Sequence, residues 1–299
     1  MNKSSSIQAV CKQLIECVGL LQCREVISAW AGLKVARICV SPSRLTRAVQ
    51  LLDELSLAYQ LVPELVFAKR DIGKGGWSNK FHEDQNMPSH KGDHLIYLGN
   101  SAEEVSRGVK ADFYGDEGEF GNSLGIPSCC IDFYLTHQEK AFDKQNDFVP
   151  LVFANTPTLH SFNYWNNYVS QYFGYALLSF FPCSFNCQHA AKLAQNTFDL
   201  IYPIVPEEAE RILHFQKQPI LYTEYRGIYL FEGAKSVAGK TFVRDCIIHS
   251  TLNQSSRTHQ NISRTKEIEV LGKEKLTITS QLGQVQEINS SNWAMCTFV

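Results

Sequence analysis

Two short motifs that each place two cysteines just after a proline constrain this 299-residue chain more than any other feature. One motif reads LGIPSCCIDFY and contains Cys129 and Cys130. The other reads FFPCSFNCQHA and contains Cys183 and Cys187. Because proline is favoured in the first turn of a helix, both motifs predict a turn followed by a helix that begins with thiols. The sequence therefore predicts that these four cysteines form one group.

The predicted position at a helix start gives these thiols a chemical property. We expect Cys129 and Cys130 in the first turn of a helix that begins near Pro127. We expect Cys183 near the first turn of a second helix, with Cys187 on the same face, because residues four apart are neighbours on a helix. The partial positive charge of a helix N-terminus stabilises the thiolate, which is the form that binds metal.

Four thiolates suit either a tetrahedral zinc ion or an iron–sulfur cluster. Cys183 and Cys187 have the spacing of one half of a zinc site, whereas Cys129 and Cys130 are adjacent and point about 100° apart on a helix. That divergence favours two corners of a larger cluster. The sequence thus predicts an iron–sulfur cluster, with zinc as the alternative. Two interpretations without a metal also stay open. In one, Cys183 and Cys187 form a redox pair, and in the other the thiols only pack between helices.

The other six cysteines are scattered over helix-like and strand-like segments. They are Cys11, Cys17, Cys23, Cys39, Cys246 and Cys296. Unbridged cysteine is among the most buried residue types, so these six are predicted to be small apolar residues.

Two side chains beside the thiols are candidate catalytic groups. Asp132 follows Cys130 by two residues and could hydrogen-bond a ligand or substrate, although its position also fits ordinary electrostatics in a first helical turn. His189 follows Cys187 by two residues and could supply a proton or a further ligand. A solvated helix histidine is the simpler interpretation of His189.

Two other residues are candidate cofactor-binding groups. Glu119 belongs to an acidic, glycine-punctuated segment at residues 115–125 that reads as a loop. The carboxylates of this segment could hold a divalent ion or a substrate amine, or could simply be solvated. Asn163 belongs to an amide-rich and aromatic run at residues 162–175, which could face a polar or planar ligand or pack in a core.

The order of predicted elements indicates an α+β protein in three parts. Residues 1–111 read as a small α/β unit, and a polar stretch within it, residues 70–93, reads as a long loop. Residues 112–202 read as a helical region that carries the four cysteines. Residues 203–299 read as a β-rich part packed on that region.

Composition and missing motifs exclude several classes of protein. The net charge of -2 offers no excess of cations for nucleic-acid phosphates. No apolar run approaches the roughly 20 residues of a membrane-spanning helix, and polar residues interrupt any secretory signal, so we expect a cytoplasmic protein with no membrane partner. Phosphate-loop and serine-hydrolase motifs are absent. Position 190 is Ala190 rather than cysteine, which removes the C-x3-C-x2-C pattern of radical S-adenosylmethionine enzymes.

As a pair, the L-G-x-P-x-C-C and P-C-S-x-x-C motifs resemble those of a family of uncharacterised bacterial and archaeal proteins, a domain of unknown function. The resemblance covers about residues 112–200. It implies that Cys129, Cys130, Cys183 and Cys187 belong together, and it brings no activity with it.

The interpretation that joins these observations is a metal-dependent enzyme. In it, an iron–sulfur centre acts on a small-molecule or peptide substrate. The alternative is a non-catalytic binding module with a structural zinc site. The sequence indicates nothing about oligomeric state.

Overall fold

The computed structural model describes seven stretches of the chain. These are residues 3–68, 81–82, 92–142, 147–223, 227–249, 257–289 and 293–299. Most of the predicted loop at residues 70–93 lies outside them. The described residues form a mixed α+β protein with several antiparallel sheets and a β-rich C-terminal region, so the predicted fold class is confirmed.

The chain divides into two compact units. The first comprises Met1–Ala68, Phe81–Thr136 and Lys192–Arg211. The second includes His137–Ala191 and Ile212–Val299. The division into three parts at residues 111 and 202 stays a prediction.

The first unit contains a four-stranded antiparallel sheet in the order β1-β4-β2-β3. Its strands are β1 (Ala36–Val40), β2 (Ala58–Ala68), β3 (Phe81–His82) and β4 (Asp93–Gly99). Ile38 of β1 and Ile96 of β4 pair directly and are both buried. Because a shift of one residue would turn these side chains to the opposite face, their burial fixes the register.

Helices of the first unit precede and follow these strands. They are α1 (Lys3–Val18), α2 (Leu20–Trp30), α3 (Leu45–Glu54), α4 (Ala102–Phe113) and α5 (Glu117–Ser123), with a short 3₁₀ turn η1 (Pro42–Arg44) before α3. Val105 and Ala111 of α4 join Tyr97 of β4 and Phe120 of α5 in one apolar cluster.

The helix α5 corrects the expectation of a loop at residues 115–125. The carboxylate of Asp116 accepts a hydrogen bond from the backbone N–H of Glu119 at 2.9 Å. An aspartate in this position satisfies one of the N–H groups that a helix start leaves without an intrahelical partner. The glycines of the segment therefore did not prevent a short helix from forming.

The second unit contains two antiparallel sheets, one in the order β12-β11-β10-β8-β7 and one in the order β13-β5-β6-β9. The strands are β5 (Ile220–Thr223), β6 (Ile228–Leu230), β7 (Lys235–Val237), β8 (Lys240–Phe242), β9 (Ile247–His249), β10 (Thr265–Gly272), β11 (Lys275–Ser280), β12 (Val285–Asn289) and β13 (Trp293–Cys296). Leu221 and Tyr229 of the second sheet share one apolar cluster with Ile268 and Ile278 of the first. The two sheets therefore share a core.

The remaining helices lie in the centre of the chain and within the β-rich region. They are α6 (Ser128–Phe142), α7 (Val149–Asn155), α8 (Gln188–Ile201), α9 (Pro206–Gln216) and α10 (Arg257–Ser263), together with the 3₁₀ helices η2 (Tyr164–Asn166) and η3 (Tyr168–Phe173). Gly174, with a φ of +87°, ends η3 in the left-handed conformation that glycine adopts most readily. Across the described ranges, no helix has both the length and the apolar character that crossing a bilayer requires.

Candidate metal centre

The four cysteines predicted to form a group do lie together. The sulfur atoms of Cys129, Cys130, Cys183 and Cys187 are all within 4.8 Å of one another. The sulfurs of Cys129 and Cys130 are 3.9 Å apart, well beyond the roughly 2.05 Å of a disulfide bond. Soft thiolate donors in such a set suit zinc or iron–sulfur chemistry. The group is therefore compatible with metal binding.

Cys129 and Cys130 lie in the first turn of α6, as the sequence predicts. The carbonyl oxygen of Pro127 accepts hydrogen bonds from the N–H groups of Cys130 at 2.8 Å and Ile131 at 3.1 Å, which closes that turn. Gly125 turns the chain into this helix with a φ of +68°. L-residues rarely adopt this angle, so glycine suits the position. Cys130 is buried, whereas Cys129 is partly exposed.

Cys183 and Cys187 do not lie on one helical face, so that part of the prediction is wrong. The helix α8 begins only at Gln188, and both cysteines precede it. The N–H of Cys187 donates to the carbonyl of Ser184 at 3.1 Å, which forms a turn. The Ser184 hydroxyl also accepts the N–H of Asn186 at 3.1 Å. Serine side chains that bond to nearby backbone compete with helix formation, so Pro182 starts a turn here.

Cys187 occupies the N-cap of α8. Its carbonyl accepts the first intrahelical hydrogen bond from Ala191 at 3.0 Å, and its sulfur accepts the N–H of Ala190 at 3.5 Å. A sulfur in this position stands where serine or aspartate oxygens usually cap a helix. The helix dipole and the donated N–H both stabilise a thiolate at Cys187.

The backbone of residues 183–187, here called the cysteine loop, is bonded by polar side chains from the end of α7. The amide of Asn155 donates to the carbonyl of Cys183 at 2.7 Å. The hydroxyl of Thr156 accepts the N–H of Phe185 at 3.0 Å and donates to the carbonyl of Val152 at 2.7 Å. These bonds fix the loop to a neighbouring helix.

Asn166, in η2, also forms hydrogen bonds with the backbone of this loop. Its amide nitrogen donates to the carbonyls of Phe185 at 3.0 Å and Cys187 at 2.9 Å. Sequence reasoning missed these roles of Asn155, Thr156 and Asn166. The sequence does contain one signal, the unusual number of asparagines in this stretch of chain. That signal alone also fits side chains that face a ligand.

The aromatic run at residues 162–175 contributes to a core. The ring of Phe162 stacks on Phe185 of the cysteine loop with 5.1 Å between ring centroids, and the ring of Tyr168 also stacks on Phe185, at 5.9 Å. All three side chains are buried. Of the two interpretations left open by the sequence, core packing is the one seen for these rings.

The predicted catalytic residues are both exposed. Asp132 lies in α6, where its carbonyl accepts the hydroxyl of Thr136 at 2.7 Å. His189 lies in the first turn of α8. The group of closely spaced ligand atoms found in the described chain consists of the four cysteines. The catalytic roles of Asp132 and His189 stay predictions.

The predicted cofactor-binding residues have local partners. The side-chain oxygen of Asn163 accepts the N–H of Trp165 at 3.1 Å and so caps η2. Glu119 lies 3.6 Å from the guanidinium of Arg107 in an exposed ion pair. Neither contact tests a role in binding a cofactor, and both roles stay predictions.

Two other cysteines, Cys39 and Cys246, lie outside this group, and burial disfavours their thiolate forms. Burial raises the pKa of Cys39 to about 11 and the pKa of Cys246 to about 12. Both thiols are therefore protonated at neutral pH. A protonated thiol is a poor metal ligand, so each of these residues is a suitable comparison for the four that converge.

Comparison of the chain with protein-family models, with curated proteins and with solved structures finds no match.

Proposed function

We propose that this chain is a metalloprotein whose centre is held by the thiolates of Cys129, Cys130, Cys183 and Cys187. The convergence of four sulfurs within 4.8 Å, from two motifs about 50 residues apart, carries the proposal. The position of the Cys187 sulfur at a helix N-cap supports it, because a donated N–H and the helix dipole favour the thiolate form.

The distances between the sulfurs support a single tetrahedral ion, and we take zinc as that ion because structural zinc sites commonly have four thiolate ligands. In a tetrahedral site with Zn–S bonds of about 2.3 Å, neighbouring sulfurs are about 3.8 Å apart. In a four-iron cluster each thiolate binds a different iron and points away from the others, so the sulfurs lie on the order of 6 Å apart. The 3.9 Å between Cys129 and Cys130 is close to the zinc value. Adjacent cysteines in a first helical turn can thus span one edge of a tetrahedron.

The number of protein ligands indicates what role a bound zinc ion has. Four protein ligands occupy every position of a tetrahedral ion and leave none for a substrate, as in structural zinc sites. When bound, zinc would cross-link the start of α6 to the cysteine loop and so contribute to folding. We therefore propose that the metal has a structural role, in a module that acts by binding a partner.

The second candidate is an iron–sulfur enzyme that acts on a small-molecule or peptide substrate. The partial exposure of Cys129 and Cys183 favours it, because electron exchange with a substrate needs an accessible side of the centre. Asp132 and His189 would then be the catalytic groups, with Asn163 and Glu119 in binding roles.

Metal analysis of the full chain purified without oxygen tests both candidates. About one zinc per chain, lost in Cys130→Ser and kept in Cys246→Ser, would support the module. Iron with an equivalent amount of sulfide, and the absorption and EPR spectra of a cluster, would support the enzyme. A chain that binds neither metal after anaerobic reconstitution would overturn the proposal. Mapping of a Cys183–Cys187 or Cys129–Cys130 disulfide after mild oxidation would instead indicate thiol redox chemistry.

A further inference from the structure

Two asparagines each donate a side-chain hydrogen bond to the carbonyl of one cysteine in the cysteine loop. Asn155 donates to Cys183 at 2.7 Å, and Asn166 donates to Cys187 at 2.9 Å. We propose that Asn155 and Asn166 are positioning residues, which hold the two thiols in the geometry that binds metal. This inference rests on the proposed function, because it concerns the affinity of the same centre.

Asn166 is the stronger of the two positioning residues. It is completely buried, and its single amide nitrogen joins the carbonyls of Phe185 and Cys187, which are two residues apart. An NH₂ group that bridges these carbonyls fixes the backbone from Phe185 to Cys187. Because the bonds are buried, water does not replace them readily when they break.

The orientation of this amide follows from its surroundings. The Asn166 side-chain oxygen is buried and accepts no hydrogen bond from the described residues. A reversed amide would point that oxygen at the carbonyl oxygens of Phe185 and Cys187, which cannot donate. The nitrogen therefore faces the cysteine loop, at the cost of one buried acceptor without a partner. Such a cost is expected where a side chain serves a site rather than stability alone.

The carbonyl that Asn166 bonds belongs to the same helix start that the sulfur of Cys187 caps. The same carbonyl accepts the first hydrogen bond of α8, from Ala191, while the sulfur accepts the N–H of Ala190. Asn166 therefore stabilises the backbone conformation in which Cys187 is the N-cap. A loop without this support must be ordered by the metal itself, and the cost of ordering lowers the affinity.

The adjacent residue, Asn167, provides a matched control. It is also completely buried, and its amide donates to the carbonyl of Gln216 at 2.8 Å rather than to the cysteine loop. The variants Asn166→Ala and Asn167→Ala each remove a buried amide from neighbouring positions. Only the first removes a bond to a cysteine of the centre.

The experiment measures the zinc affinity of the full chain by competition with a chromophoric chelator. The free energy of unfolding of the metal-free protein is measured in parallel. We expect both alanine variants to lower that free energy. We expect only Asn166→Ala to weaken zinc binding, by about tenfold, in line with the effect of removing residues that orient metal ligands. Cobalt(II) spectra of Asn166→Ala should also show altered thiolate-to-metal bands.

The outcomes distinguish a failure of the positioning role from a failure of the proposed metal site. Equal zinc affinities for Asn166→Ala and the natural chain, or equal losses in the two variants, would overturn the positioning role while leaving the metal site intact. Failure of the natural chain to bind metal would overturn the proposed function and this inference together. If Asn166→Ala does not fold, Asn155→Ala at an exposed position decides the question, with a several-fold loss of affinity expected and an unchanged affinity contradicting it.

Discussion

The backbone N–H of Ala190 donates a hydrogen bond to the sulfur of Cys187 over 3.5 Å. One side chain thus has two roles, as the cap of α8 and as a member of the four-cysteine group. The two roles depend on different properties of the sulfur. A cap needs only an acceptor near the helix start, whereas a metal ligand needs a thiolate.

Substitution of Cys187 can therefore separate the two roles. Serine keeps an acceptor at the N-cap, so Cys187→Ser should unfold in urea with nearly the same free energy as the metal-free natural chain. Cys187→Ala should be less stable by about 1 kcal/mol, the usual cost of losing a cap. Both variants should lose most of their zinc affinity. Equal stability of the two variants would show that the sulfur contributes no cap.

Removal of the metal should destabilise the chain. A ligand that binds only the folded state stabilises it by RT ln(1 + [L]/Kd), about 2.7 kcal/mol when zinc is at 100 times its Kd. We expect a strong chelator to lower the unfolding temperature of the natural chain and of Cys246→Ser. The unfolding temperature of Cys130→Ser should not respond. A response of equal size in Cys130→Ser would mean that the stabilising metal binds elsewhere.

The start of α6 could be predicted from the sequence, but the cysteine loop could not. Gly125 and Pro127 together admit little other than a turn into a helix. After Pro182, serine and asparagine are compatible with a helix start and also with a turn, because their side chains bond equally well to nearby backbone. Contacts with α7 and η2 decide in favour of the turn, and they join residues distant in sequence.

The distance between the sulfurs of Cys129 and Cys130 also could not be predicted from the sequence. Adjacent side chains leave a helix backbone about 100° apart, which by itself argues against both cysteines binding a single ion. The side-chain torsions bring the two sulfurs to 3.9 Å all the same. Sequence spacing fixes the direction of the Cα–Cβ bonds but leaves the χ1 torsion to packing.

Lys273, in the hairpin between β10 and β11, anchors the end of α7. Its ammonium donates to the carbonyls of Phe153 at 3.1 Å and Ala154 at 2.5 Å, and also to that of Thr156. A cation at a helix C-terminus bonds carbonyls that have no partner within the helix. This end of α7 is also the part that bonds the cysteine loop.

Replacement of this lysine by methionine keeps the aliphatic stem and removes the charge. Lys273→Met should lower the free energy of unfolding by about 1 kcal/mol, measured in urea. Lys275→Met is a control in the same hairpin, since its ion pair with Glu287 is solvent-exposed and such pairs contribute little. If both variants lose the same free energy, the contacts of Lys273 with α7 contribute nothing specific.

Glu25 of α2 is buried between two cations. Its carboxylate accepts hydrogen bonds from Arg24 at 2.6 Å and from Lys34 at 2.5 Å. Burial alone would raise the pKa of Glu25, but the two cations outweigh it and lower that pKa to about 2. The unfolded chain has an ordinary glutamate pKa of about 4.3. The folded state therefore binds the proton of Glu25 less readily than the unfolded state.

A carboxylate with a depressed pKa contributes stability that is fully present above the unfolded pKa and is lost as the pH falls towards the folded pKa. For Glu25 this loss should occur between about pH 4.5 and pH 2 and amount to on the order of 3 kcal/mol. Urea unfolding at a series of pH values measures this loss of stability.

Glu25→Gln should be less stable at neutral pH, because two cations lose their partner, yet should lose less stability across this window. Glu139→Gln, at an exposed position, should keep the pH dependence of the natural chain. A Glu25→Gln profile parallel to that of the natural chain would show that this carboxylate is not the group responsible.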